Sequence, residues 1–423
     1  MLKVFEAFSG IGSQAKALEN AGIDHEIFAT ADWDVTAIIA YDLIHHGRID
    51  RTCVDRMSID EVDHALEPFT FSLTGKKPTN GITHKISEEA RRTLLAAIRR
   101  SKNRVSITDI KGYEVPDDID LLTYSFPCQD LSLCKFWHGD VHGIDRAAHT
   151  RSGMLWEIER ILLEMSADRK KLPRFLLMEN VTAILNDLNK KNFAEWRGNL
   201  ENLGYLNIPL RLNAKSFGIP QMRERAYMIS IRCDHNIELE QKMSIHFSCD
   251  PSRYHRRDVH LRDVLRLDYS NDVLRSEADE SQPNETVSRD KIFKENVHLL
   301  DENYQPLDIA VNTITTKQDR NPNSGVIAYP PPGDSYGCGH EHGASFRNLT
   351  PRECFMLMGF EERDYEVLIE NNIRLNSRTM LFTRDKLNKL AGNSIVVDVL
   401  ECLFKMIDEA NSMIKIFEAE NNG

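Results

Sequence analysis

Five short apolar runs, Lys3 to Phe8, Glu26 to Ala31, Leu121 to Ser125, Phe175 to Met178 and Ala226 to Ile231, alternate with stretches whose apolar residues recur at helical spacing. The helical stretches include Ser13 to Ala21, Val35 to His45 and Leu155 to Met165. Runs this short and this apolar read as strands buried on both faces. Their alternation with helices predicts an α/β fold, a doubly wound parallel sheet. In such sheets the chemistry collects at the carboxyl ends of the strands.

Polar groups stand at three strand ends. Phe126-Pro127-Cys128-Gln129 closes the Leu121 run, Glu179-Asn180 closes the Phe175 run, and Gln221-Met222-Arg223-Glu224-Arg225 leads into the last strand. Val4 to Phe8 runs into the glycine turn Ser9-Gly10-Ile11-Gly12-Ser13, and Leu390-Ala391-Gly392-Asn393-Ser394 stands near the end of the chain. A small thiol at a strand end is by itself more often packing than nucleophile. In this order, however, the set resembles the DNA cytosine-5 methyltransferases. The resemblance covers about the first 230 residues and about the last 75, and leaves the stretch between unassigned.

At 423 residues the chain exceeds the usual single core, so two lobes are expected. The pattern divides into a catalytic domain at 1–235 with an inserted basic helical segment at about 51–105, a polar second domain at 236–345, and a segment at 346–423 that returns to the first. The apolar runs are strand-length and the start carries no charged leader, which predicts a soluble protein with no membrane anchor. Eight cysteines without Cys-x-x-Cys or paired Cys/His spacing argue against a disulfide framework and a metal site. The net charge of −12 suits a nucleic-acid partner poorly. Its distribution is uneven, with nine Lys/Arg against two Glu from Lys76 to Arg104 and a second basic cluster at Arg253-Tyr254-His255-Arg256-Arg257. Each either lines a groove or solvates a helix face, and Ser87-Glu88-Glu89 reads as a helix start within the first.

The glycine turn suits a nucleotide-like cofactor, NAD included. Lack of a third glycine facing a pyrophosphate, together with the acidic-aromatic pair Asp32-Trp33 after the second strand, favours S-adenosyl-L-methionine (AdoMet). The resemblance implies a cofactor pocket of Phe8, Ser9, Gly10, Gly12, Asp32, Trp33, Asp109, Ile110, Pro127, Asn393 and Ser394. Asp32 stands where many members carry Glu, and Ser13 where a third glycine is common.

Cytosine C5 is too weak a nucleophile to take a methyl group from a sulfonium unless electrons are first pushed into the ring. The resemblance makes Cys128 the thiolate that adds to C6. Glu179, protonated in a desolvated pocket, would donate to N3, and Arg223 and Arg225 would meet O2, Glu179 or a flanking phosphate. The target base must leave the duplex stack. The polar loop from Asp130 to Ser152, hinged at Gly139 and Gly143 and carrying Ser132 on the DNA side, matches a mobile catalytic loop, with Cys134 where a relative presents serine. The middle domain would recognise double-stranded DNA, with Arg253, Arg256, Arg257, Lys317, Gln318 and Arg320 as candidate contacts. The expected setting is a monomer in the cytoplasm of a bacterial or phage-infected cell, paired with a restriction endonuclease or acting as an orphan. Three other readings remain at this point: a tRNA cytosine-5 methyltransferase, a catalytically silent DNA-binding relative, and an NAD-dependent oxidoreductase.

Overall fold

β1 (Leu2–Ala7) lies between β2 (His25–Ala31) and β3 (Leu121–Tyr124), parallel to both. The reversal of strand order there opens a crevice at the carboxyl ends, where open α/β sheets bind their ligands. β4 (Phe175–Val181) extends the sheet in parallel beside β3. β5 (Tyr205–Asn213) forms the far edge. After the short β6 (Gln221–Met222), the chain turns back as β7 (Glu224–Arg232), antiparallel to both β4 and β5, giving the order β2-β1-β3-β4-β7-β5. The sheet is therefore mostly parallel rather than wholly so. The structure, a computed structural model, describes residues 1–127, 144, 151–318 and 320–421.

Both faces of the sheet are covered, and strand alternation sorts the side chains between them. Leu2 and Val4 join a large core with α1 (Ser13–Ala21), α2 (Val35–His46), α3 (Ile59–Leu66) and α4 (Glu88–Arg100). Phe5 and Ala7 point the other way, into a core completed by α5 (Leu155–Ala167) and α6 (Asp187–Asn202). The inserted segment is built into the large core through Val62, Leu66, Leu94 and Ile98. Its arginines act as staples: Arg92 donates to the carbonyls of Val54 and Met57, Arg99 to that of Cys53, and Arg100 pairs with Asp42.

The large core also takes in α7 (Ile237–Phe247) and α8 (Leu261–Val264), past the expected boundary at 236. Smaller clusters around Tyr269, Tyr329 and Cys338, and around Val326, Ala344 and Phe346, mark the second lobe. It contains α9 (Asp272–Ser281), α10 (Val287–Glu295) and the antiparallel pair β9 (Ile327–Ala328) and β10 (Phe346–Arg347). β8 (Val311–Asn312) pairs in parallel with β6 in a separate two-stranded ladder, and so ties this lobe to the segment that leads into β7. The chain then returns through α11 (Pro351–Leu357), α12 (Glu362–Glu370), α13 (Arg384–Asn393) and the long α14 (Val397–Asn421). Thr350 caps α11 by accepting from Glu353 N at 3.2 Å, with Pro351 in the first turn.

A buried ionic network locks the lobe to this return. The Arg347 guanidinium, fully buried, bonds both carboxylate oxygens of Glu353 at 2.9 Å, and Arg352 of α11 bridges Glu277 of α9 to Glu362 and Glu366 of α12. Such pairs are costly to desolvate but costlier to break singly. Among the described residues no helix is long and apolar enough to cross a membrane.

Candidate active site

β1 ends at Ala7, and the chain turns sharply through Phe8, Gly10 and Gly12, with φ of 57°, 56° and 80°. Ser9 N donates to Ala31 O at 3.0 Å, and Gly10 N donates to Asp32 Oδ2 at 3.0 Å, so the turn hangs from the end of β2. Asp32 Oδ1 accepts from Asp34 N at 2.8 Å. Burial, with Asp34 nearby, pushes the Asp32 carboxyl up to about 6.

The two glycines serve different ends. A Cβ on Gly12 would run into the His45 ring and come within 2.6 Å of Tyr41, so this glycine admits α2. A Cβ on Gly10 would meet nothing within 4 Å, which leaves open space beside the turn. Ser9 is buried, and its hydroxyl has no hydrogen-bond partner among the described residues. Trp33 packs partly against the large core and keeps part of its surface open. An open wall, an unsatisfied hydroxyl, a carboxylate and an aromatic face fit a nucleoside-bearing cofactor. Of the other expected pocket residues, Asp109 is exposed and bonds Thr108, Ile110 is buried, and Pro127 is half-buried. Asn393 is exposed at the end of α13, and Ser394 donates its Oγ proton to Leu390 O at 2.8 Å. The corner therefore closes α13, and the last helix starts beyond it, at Val397.

The carboxyl ends of β3 and β4 and the amino end of the antiparallel β7 meet beside this turn. Glu179 is buried at the end of β4; Oε2 accepts from Ser125 Oγ at 2.7 Å and Oε1 lies 3.5 Å from Arg225 Nε. Register makes this contact: Arg225 pairs with Val181, two residues along the strand from Glu179 and on the same face. Asn180 Nδ2 donates to Phe126 O at 3.0 Å and holds the approach to Pro127. Cys128 and Ser132, with Cys134, Gly139 and Gly143 of the expected loop, lie outside the described residues.

Arg223 departs from expectation. Its Nη1 donates to Ile314 O at 2.9 Å, and its Nη2 to Gly392 O at 3.1 Å and Ser394 O at 2.9 Å, so it braces backbone, a task not foreseen for a residue expected to meet O2, Glu179 or a flanking phosphate. Gln221, which the sequence did not single out, works beside it: Nε2 donates to Leu357 O at 2.7 Å and Oε1 accepts from Ile314 N at 3.1 Å. Its spacing of two from Arg223 was the available signal.

Four expected DNA contacts also change character. Arg256 donates to the carbonyls of Asn20 and Ala21 in the last turn of α1, a favourable place for a cation. Arg253 lies 3.5 Å from Glu409, and Arg257 lies 3.6 Å from Asp398, both of α14. These three arginines clamp the helical layer. Gln318 is fully buried and bonds Ser324, so it presents no edge to a groove. Lys317 and Arg320 are exposed on the loop that follows β8, with Arg320 3.7 Å from Asp385.

The C-5 cytosine-specific DNA methylase family profile matches residues 65–409. The orphan methyltransferase M.SssI of Spiroplasma monobiae is 42% identical over 233 residues, 54% of this chain and 59% of that protein. The type II methyltransferase M2.ScrFI of Lactococcus lactis subsp. cremoris is 32% identical over 409 residues, 96% of this chain and 98% of that one. Among solved structures, Schizosaccharomyces pombe Dnmt2 methyltransferase aligns over 97% of this chain and 99% of its own, with a TM-score of 0.58 at 19% identity, a likeness of fold. A profile match across most of the chain and a relative alignable from end to end place this protein in the C-5 cytosine-specific DNA methylase family, a family of methyltransferase enzymes.

Proposed function

We propose that this chain methylates C5 of a cytosine within a specific sequence of double-stranded DNA, acting as a monomer on a base swung out of the stack. The observation that carries the reading is the buried Glu179 carboxylate, held between Ser125 Oγ and Arg225 at the ends of three strands. It stands beside a turn whose open space lies at Gly10.

AdoMet supplies an electrophilic methyl group. Phe8, Ser9, Gly10, Asp32 and Trp33 would hold it, Ser9 and Asp32 through polar contacts and the aromatics by packing. Cys128, three residues beyond Ser125, adds as thiolate to C6, and the electron pair displaced from the C5–C6 bond moves toward N3 and O2. Glu179 faces N3 and the exocyclic amine, and Arg225 meets O2 across from it. C5 would then take the methyl group as its bond to the sulfonium sulfur breaks, leaving the neutral thioether S-adenosyl-L-homocysteine. Loss of the C5 proton to a base returns electrons to the ring and breaks the S–C6 bond, freeing the Cys128 thiolate.

Two relatives support the setting: one is named a type II methyltransferase and one an orphan methyltransferase, so we assign a modification enzyme that acts beside a matching endonuclease or alone. The test is bisulfite sequencing of plasmid DNA from a methylation-deficient bacterial host expressing the chain, beside a Cys128→Ala control. Protection of cytosines at one short motif, absent from the control, is the expected result. A folded wild type that protects none refutes the reading, and transfer of label from AdoMet to tRNA would then replace it.

A further inference from the structure

Arg223 precedes Arg225 by two residues, yet its guanidinium, in a side chain 4% exposed, lies in the joint between the lobes. Ile314 O, which accepts from Nη1, belongs to the segment that leaves β8 for the small lobe; Gly392 O and Ser394 O, which accept from Nη2, belong to the corner after α13. These two backbones also touch directly. A Cβ on Gly392 would come within 2.6 Å of Thr315 C and Thr316 N. Gln221, two residues before Arg223, grips Ile314 N, and Thr313 Oγ donates to Met222 O at 2.7 Å.

Each side of the joint leads to a ligand. Toward the small lobe, Lys317 and Arg320 stand exposed three and six residues beyond Ile314. Toward the cofactor turn, α13 is fastened by Lys389 Nζ to Asp34 Oδ2 at 2.6 Å; Asp34 N bonds Asp32, and Asp32 bonds Gly10 N. The Ile314 segment cannot shift against the corner without breaking the Arg223 bonds or carrying α13 with it. We infer that Arg223 is a positioning residue through which duplex DNA on the small lobe and AdoMet in the turn each strengthen the other's binding. The inference rests on the proposed function. It assigns Arg223 a task separate from the chemistry at Glu179 and Arg225.

Linkage requires such coupling to be reciprocal, and couplings of this kind are typically about 5–150-fold. The measurement is the Kd of S-adenosyl-L-homocysteine for the full chain, by calorimetry, without and with saturating sheared plasmid DNA from a methylation-deficient host. Wild type should bind at least about fivefold tighter with DNA. Arg223→Gln should bring that ratio close to one while S-adenosyl-L-homocysteine alone still binds within about threefold of wild type. Thr313→Ala removes a peripheral hydroxyl without opening the core, so it should lower the ratio in a protein that remains folded. A wild-type ratio of one overturns the inference. So does a ratio unchanged in Thr313→Ala and in folded Arg223→Gln, or affinity lost equally with and without DNA. Wild type that binds neither ligand refutes the proposed function itself, and is distinguished by that.

Discussion

Gly10 and Gly12 sit in one turn with similar positive φ, yet alanine should harm the protein differently at each. Alanine in the left-handed region costs about 1–2 kcal/mol at either position. At Gly10 nothing stands within 4 Å of the new methyl group, so this backbone term is the whole cost to folding. At Gly12 the methyl group meets His45 and Tyr41, and neither can retreat. Tyr41 OH is bonded to the buried Glu6 at 2.8 Å, and His45 Nε2 to Ile11 O at 3.1 Å. Burial pushes the His45 imidazole down to about 3, so the ring is neutral, and a carbonyl partner requires its proton on Nε2. Overpacking of this kind adds about 1–3 kcal/mol, for a total of about 2–5 kcal/mol at Gly12. Binding should show the reverse order. The Gly10 methyl group occupies the space assigned to AdoMet, and a loss of tenfold or more in affinity corresponds to about 1.4 kcal/mol. Urea unfolding compared at constant m, with calorimetry of S-adenosyl-L-homocysteine binding, separates the two effects. Equal midpoints for the two variants, or wild-type affinity in Gly10→Ala, would refute the reasoning.

Glu179→Gln keeps the shape of the site and removes both its carboxylate and its transferable proton. Methyl transfer should fall by about 10²–10⁴ with circular dichroism unchanged, and a loss under threefold would remove Glu179 from the chemistry. Glu6, fully buried, has its carboxyl pushed up from 4.5 to about 7 by burial, partly offset by the Tyr41 hydrogen bond. A carboxyl with a raised folded pKa stabilises most while protonated, so its contribution is full below about pH 4.5 and fades as pH rises through about 7. The total is about 3 kcal/mol. The difference in urea stability between wild type and Glu6→Gln should trace that slope, and a flat difference from pH 4.5 to 7.5 would count against it. Truncating Arg347 to Met leaves Glu353 a buried unpaired charge and should cost about 3–5 kcal/mol in unfolding free energy; a loss below about 1 kcal/mol would mean that the pair is not desolvated as described. Finally, Lys317→Ala and Arg320→Ala should each reduce the salt slope of DNA binding by up to about one counterion, while Arg256→Ala leaves it unchanged. A shallower slope in Arg256→Ala would return that arginine to the DNA.

The strands flanking the site were legible because each is a dense apolar run with a polar residue at its end, as at Glu179. β5 was not: Tyr205–Asn213 alternates apolar with polar residues and contains Pro209, a pattern that an edge strand accepts because one side of its backbone needs no partner. The reversed direction of β7 was equally hidden, since an apolar run carries no sense of direction. Ser87 announced its helix because capping is a local contact of three residues. The partners of Arg256 and Arg257 were hidden for the opposite reason. A cation beside other cations looks like an anion-binding surface until its partners are known, and those of Arg256 lie 236 and 235 residues away.

The Gln221-x-Arg223-x-Arg225 run brings these points together. Residues at spacing two share a face of extended chain, so one reading treats the three alike. What separates them is what the rest of the chain brings alongside: Leu357 and Ile314 for Gln221, the Ile314 segment and the Gly392–Ser394 corner for Arg223, and Glu179 for Arg225. Two of the Arg223 acceptors are 169 and 171 residues away in sequence, so the buried guanidinium is satisfied only when the C-terminal segment has returned to the sheet. Before that return the guanidinium is left to water; burying it without these acceptors would cost several kcal/mol. The same closure fastens α13 to Asp34 beside the cofactor turn. The contacts of Arg223 and Lys389 therefore link the three expected segments, 1–235, 236–345 and 346–423, at the proposed site.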